Sequence, residues 1–106
     1  MKNIEFSKAL KLGEQIDYQA GQVISKTLAQ NPHLSLTLFS LDQGEGISTH
    51  TTSGDAMVQI LDGQAEITIG KQVINVGVGE TIIMPSDIPH GLEARERFKM
   101  LLTVIK

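Results

Sequence analysis

Cysteine is absent from the 106 residues, and with it go a disulfide scaffold, a thiolate-bound zinc site and a thiol nucleophile. The same absence fits a reducing compartment, and the expected location is cytoplasmic. Tryptophan is also absent and aromatics make up only 4%, so a core has to be assembled from Ile, Leu, Val and Met. No apolar run approaches the ~20 residues that a membrane-spanning helix needs. The opening Met1-Lys2-Asn3-Ile4-Glu5 lacks a hydrophobic stretch and carries an early acid, so neither a signal peptide nor a membrane partner is expected. Net charge is −3, and the only basic group, Arg95, Arg97 and Lys99, is interrupted by Glu96. Nucleic-acid binding needs a broad positive footprint, so no nucleic-acid partner is expected.

What the chain does have is alternation. Leu34, Leu36 and Leu38 alternate with Ser35 and Thr37, and Ala65, Ile67 and Ile69 alternate with Glu66 and Thr68. Phe98, Met100, Leu102 and Val104 face one way, and Lys99, Leu101, Thr103 and Ile105 the other. Period two predicts strands, because successive side chains leave a sheet on opposite faces. The last run is largely apolar on both faces, which predicts a strand covered on both sides. Breaks are expected at Gly21, Asn31-Pro32, Gly44 with Gly46, Ser53-Gly54-Asp55, Asp62-Gly63, Gly70, Gly77 with Gly79, and Pro85 to Pro89. Gly70-Lys71 suits a type II′ hairpin, with Gly first in a two-residue loop. Only Phe6 to Leu12, ending at Gly13, reads as a helical turn. There is no linker, low-complexity tract or helix-turn-helix segment. The expectation is one all-β domain over residues 1–106, a sandwich or small barrel.

His50 and His90 are the informative titratable residues. Each lies where a loop becomes a strand, at the mouth of the expected barrel, and small β-barrels place ligands there. Imidazole suits zinc, iron, copper and nickel. His33, after Asn31-Pro32, is expected to be exposed and inert. Met57, Met84 and Met100 read as core filling, with a soft copper site using one of them beside the two His as the alternative. No Ser-His-Asp order, phosphate-cradling Gly loop or paired-carboxylate signature can be placed.

The spacing of these residues resembles a known family. Gly44 to Gly63, read as Gly-(five)-His50-Thr51-Thr52-(three)-Ala56-(six)-Gly63, resembles the first cupin motif, G-X5-H-X-H-X3-4-E-X6-G. Gly79 to Ala94 resembles the second, G-X5-P-X-G-X2-H-X3-N, with Gly79, Pro85 and His90 in register. Two motifs at the right mutual spacing imply a cupin, or double-stranded β-helix, barrel of jelly-roll type. In that family three His and one Glu usually hold a metal. By position His50 and His90 are metal ligands. Thr52 replaces the middle His, Ala56 the Glu, Asp87 the second-motif Gly and Ala94 the Asn. Asp55 lies one place before the Glu position and reads as a turn residue accepting backbone N–H bonds.

The resulting expectation is a barrel that binds a small molecule, one weakly held divalent transition metal (Ni, Fe, Mn, Zn or Cu), or both. Thr52 is expected to add its hydroxyl, with Met57 and Met100 as further cofactor contacts; no catalytic residue is assigned. One alternative is a metal-dependent dioxygenase, isomerase or lyase acting on a small organic substrate. Another is a non-catalytic binder in which both imidazoles donate hydrogen bonds, and a third is a structural or interaction module. Apolar residues on both faces of Leu34–Leu41 and Phe98–Ile105 exceed what a small monomer's core needs, and a homodimer is expected.

Overall fold

The computed structural model describes all 106 residues. It contains eight strands, every pairing antiparallel, and no α-helix. They are β1 (Val23–Gln30), β2 (Leu34–Leu41), β3 (Gly46–His50), β4 (Asp55–Ile69), β5 (Gln72–Gly77), β6 (Thr81–Met84), β7 (His90–Glu93) and β8 (Phe98–Ile105). One sheet runs β1-β2-β8-β4-β6 and the other β5-β4-β7-β3. This is the expected all-β barrel.

β4 belongs to both sheets. Its first part pairs with β8 and β6, its second with β5 and β7. The break expected at Asp62-Gly63 is therefore not a loop. The register slips between Ile60 and Asp62, and the strand bends and continues. A bulge kinks a strand without ending it. Gly63 (φ +71°) is required there twice over: the angle is left-handed, and a Cβ would overlap the carbonyl of Arg97, the residue just before β8. At Gly70 (φ +59°) the expected turn does form, closed by the Ile69–Gln72 pair, with only the first loop residue at positive φ as type II′ requires.

Alternation decides which faces are buried. In β4 Ala56, Val58 and Ile60 point into the barrel; in β8 Phe98, Met100, Leu102 and Val104 do. These join Ala65, Ile67 and Leu92 in the main core. A second, smaller core lies on the outer face of the first sheet, where Leu28, Leu38 and Leu101 are buried under Ile16. The cover is the chain's own first 22 residues.

The segment is held by backbone-directed bonds: Lys2 N–H donates to Leu28 O (2.8 Å), Ser40 Oγ to Asp17 O (2.8 Å) and Lys99 Nζ to Gly13 O (2.6 Å). Tyr18 Oη donates to Asp62 (2.6 Å), with Arg97 over its ring at 4.4 Å. Burial and that bond to Asp62 push the phenol well above its ordinary pKa. The second apolar face of β2 and β8 is thus used largely within the chain, so its composition does not by itself require another copy.

The helical turn expected at Phe6 to Leu12 does not form; a single 3-10 turn occupies Leu12–Glu14. Ser7, inside that stretch, is left-handed (φ 61°), which a right-handed helix cannot accommodate. The segment gains more by lying across Leu28 and Leu38 than by coiling on itself.

Candidate functional site

His50 and His90 are direct register partners across β3 and β7. A bulge brings this about. Ile47 pairs with Leu92 and His50 with His90, so three steps along β3 match two along β7. Without the extra residue His50 would leave the sheet opposite to Ile47. With it, both side chains face the barrel interior. The ring centroids lie 4.5 Å apart at 68°. His90 is buried (1% exposed), whereas His50 is exposed at the rim.

Each ring is oriented by its own backbone. Nδ1 of His50 lies 2.8 Å from Ser48 O, and Nδ1 of His90 lies 3.2 Å from Ile88 O. A carbonyl only accepts, so in the neutral ring the proton sits on Nδ1 and Nε2 carries a lone pair. Burial, helped by the neighbouring His50, lowers the pKa of His90 below its ordinary value and so favours its neutral form. In that tautomer Nε2 of each ring is an acceptor.

Both histidines line a cavity of about 180 Å³ whose wall is made by eleven residues, eight of them hydrophobic. Thr52, Ala56, Met84 and Met100 line it with the two His, and no charged side chain does. Thr52 Oγ1 donates to Gly54 O (2.7 Å), so its proton is committed and only lone pairs remain. Met57 does not reach the cavity. It follows Ala56 on β4, and alternation turns it to the outer face, opposite Ile83 and Thr103. The expectation for Met57 is corrected on that ground. Met84, assigned above to core filling, takes a place on the wall and stands directly across from Ala56. The parity that turns Asp55 away from the cavity also excludes Met57. The same count along Thr81-Ile82-Ile83-Met84 identifies Met84.

The loops around the mouth are tied together. Asp87 N–H donates to Thr52 O (2.8 Å), Ser86 N–H to Asp55 Oδ1 (2.8 Å) and Ser86 Oγ to Ser53 O (2.9 Å). Asp55 is the expected turn acceptor. Asp87 stands where the motif has Gly and is left-handed (φ 63°), a conformation Asp tolerates better than most residues. His33 is exposed and outside the site.

A hard divalent ion fits this donor set poorly. No group of three or more His, Cys, Asp or Glu converges anywhere in the chain. The two imidazoles are joined by a committed hydroxyl and by thioethers, without a carboxylate to offset a double charge.

No helix is long and apolar enough to cross a membrane. A search of curated proteins finds no match to this chain. A conserved protein of unknown function from Streptococcus pyogenes is 48% identical with a TM-score of 0.96, over 99% of this chain and 92% of that one. A cupin superfamily protein from Desulfitobacterium hafniense is 33% identical with a TM-score of 0.94, over 98% of this chain and 95% of that one. Salicylate 1,2-dioxygenase from Pseudoaminobacter salicylatoxidans shares the fold at 17% identity and a TM-score of 0.73, over 87% of this chain and 27% of that one. The cupin domain family model matches residues 37–106. With both motif histidines paired inside a double-stranded β-helix barrel, the chain belongs to the cupin family.

Proposed function

We infer that this domain binds a small, uncharged, mainly apolar molecule in the barrel cavity and holds one polar end of it on the Nε2 atoms of His50 and His90. The observation that supports the reading is that each Nδ1 lies within hydrogen-bond distance of a backbone carbonyl, which favours the tautomer with an acceptor at Nε2, while both rings line an otherwise apolar chamber. Two adjacent acceptors select an O–H or N–H group. The absence of Lys and Arg from the wall disfavours a carboxylate, whose charge would be desolvated without a partner. The cavity is smaller than the ~300–1,000 Å³ of typical drug-sized sites, so the ligand is a single ring or short branched chain.

Benzyl alcohol, toluene and benzoate test this. Methyl NMR of Ala56, Met84 and Met100 reports entry into the cavity. Benzyl alcohol is expected to bind most tightly, toluene about tenfold less and benzoate least. His50→Ala should bring benzyl alcohol down to the toluene level. Benzoate binding best, or none of the three moving the cavity methyls, would overturn the reading.

A further inference from the structure

We propose that the outer face of the first sheet pairs with the same face of a second copy, on a two-fold axis that runs along β8 through Thr103. This pairing is independent of what the cavity binds.

Register places one row of side chains across the whole sheet. Ala29 stands opposite Leu36, Leu36 opposite Thr103, Thr103 opposite Met57, and Met57 opposite Ile83. Directly opposed residues share a face, so the row crosses all five strands on one side. That side is the outer one, because the chain neighbours Ala56, Met84, Leu102 and Val104 line the cavity. The row holds no charge, and Thr103 is its one polar member. The first 22 residues cover Leu28, Leu38 and Leu101 but not the β4–β6 end of this row. Met57 is half-buried and Ile83 is 51% exposed. The next rung adds Leu34 opposite Ile105, which is 58% exposed. Asp55 ends that rung with its Oδ1 turned to accept from Ser86 N–H.

The order of sizes along the row identifies the occupant. β8 is the middle strand of the five. Sheets packed face to face keep their strand directions within about 30° of each other, so a two-fold along β8 lays the row over itself in reverse. Ile83 of one copy then covers Ala29 of the other, Met57 meets Leu36, and Thr103 meets Thr103. The protruding Ile falls on the smallest side chain, and the two hydroxyls pair with each other instead of facing an apolar surface alone. A second copy supplies this match by symmetry. Five strands ~4.8 Å apart and two rungs of ~7 Å make a flat patch of about 24 Å by 14 Å. Met1, 65% exposed, borders its Ala29 end, where Lys2 N–H bonds Leu28 O. Both copies together bury about 700 Å² of flat area, and side-chain relief brings this toward the ~1,200 Å² at the low end of specific pairs. The expected dissociation constant is therefore on the order of 1 μM.

The chain has no cysteine, so single cysteines report the geometry directly. At about 50 μM, well above that constant, sedimentation should give twice the 11.5 kDa of one chain. Thr103→Cys should cross-link to its own copy with a short bis-maleimide, whose reach suits sheets about 10 Å apart. Val73→Cys, 58% exposed on β5 of the other sheet, should not cross-link. Ile83→Lys should sediment as a single chain, and Val78→Lys, 63% exposed away from this face, should remain paired. The methyl signal of Met100, buried in the barrel, identifies a correctly folded Ile83→Lys. A wild-type chain that is single at about 50 μM overturns the pairing. Pairing that survives in folded Ile83→Lys does the same, as does cross-linking of Val73→Cys without cross-linking of Thr103→Cys. Each of these results leaves the small-molecule reading of the cavity as it stands, and loss of that reading leaves the pairing.

Discussion

Ile16 is the residue through which the N-terminal segment holds the outer core together, and Ile16→Ala measures how much that cover contributes. It is 5% exposed and packs with Leu28, Leu38 and Leu101, which are 1%, 0% and 9% exposed. Truncating a buried Ile to Ala costs about 2–5 kcal/mol, the transfer of the lost carbons plus the cavity they leave. The lower half of that range, about 3 kcal/mol, applies here, because the segment is tied mainly by hydrogen bonds and can settle into part of the space. An ordinary domain of this size has about 5–15 kcal/mol in total. With a urea slope of about 1.5 kcal/mol/M, the unfolding midpoint should fall by about 2 M. The assay is urea denaturation followed by circular dichroism, with ANS fluorescence reporting the uncovered leucines. The cavity lies in the other core, so benzyl alcohol binding below the transition should be unchanged. A midpoint shift under 0.5 M without ANS binding would refute the reasoning. It would mean that the outer face of β2 and β8 does not depend on its own N-terminus.

Three further outcomes follow from particular residues. Asp87 is left-handed, so Asp87→Gly should keep stability within about 0.5 kcal/mol while Asp87→Val, β-branched at positive φ, loses about 2 kcal/mol; equal effects in urea denaturation would contradict the backbone argument. Burial depresses the pKa of His90 in the folded protein, so between that value and the unfolded ~6.5 the unfolded chain binds more protons. The stabilisation is complete above pH ~6.5 and is lost as pH falls through the folded pKa. His90 should titrate below 6.5 by NMR, and His90→Gln should flatten the slope of stability against pH over that window. A homodimer, if it uses the apolar strip the N-terminus leaves open, buries Ile83 and Ile105, which are 51% and 58% exposed. Ile83→Lys should then convert it to the 11.5 kDa monomer in sedimentation, and a wild-type protein that is already monomeric at micromolar concentration refutes the pairing.

The fold was legible because the signals that specify it are local and periodic. Alternation in Phe98–Ile105 and the glycine-marked turns fix the strands, and the two motifs place His50 and His90 at strand ends that meet. What escaped is what periodicity does not encode. Asp62-Gly63 has the chemistry of a turn, and a bulge inside β4 needs the same left-handed, Cβ-free residue. The doubly apolar strands announce that something covers their outer face, but not whether the cover is another chain or the first 22 residues. The bulge between Ile47 and His50 has no distinct sequence mark, yet it decides that His50 faces inward. Met57 could have been excluded from the sequence by parity with Ala56.

The barrel tolerates an altered ligand set because the two substituted positions do little of its packing through their side chains. At Thr52 the backbone carbonyl accepts from Asp87 N–H and the hydroxyl holds Gly54 O, so the rim contacts are local. At Ala56 the ladder to Met84 and Val104 is made by the backbone, which any side chain permits. His90, by contrast, is fixed by burial, by its bond to Ile88 O and by its register with His50. Replacing a carboxylate by a methyl at position 56 removes the one negative charge the motif brings to the chamber and leaves the walls apolar. The lone pairs that remain act in a low dielectric, where an unpaired polar group is costly and a matched one is strongly held. The wall at position 56 thus brings no charge, while the strands that position the two histidines pair as they do elsewhere in the barrel.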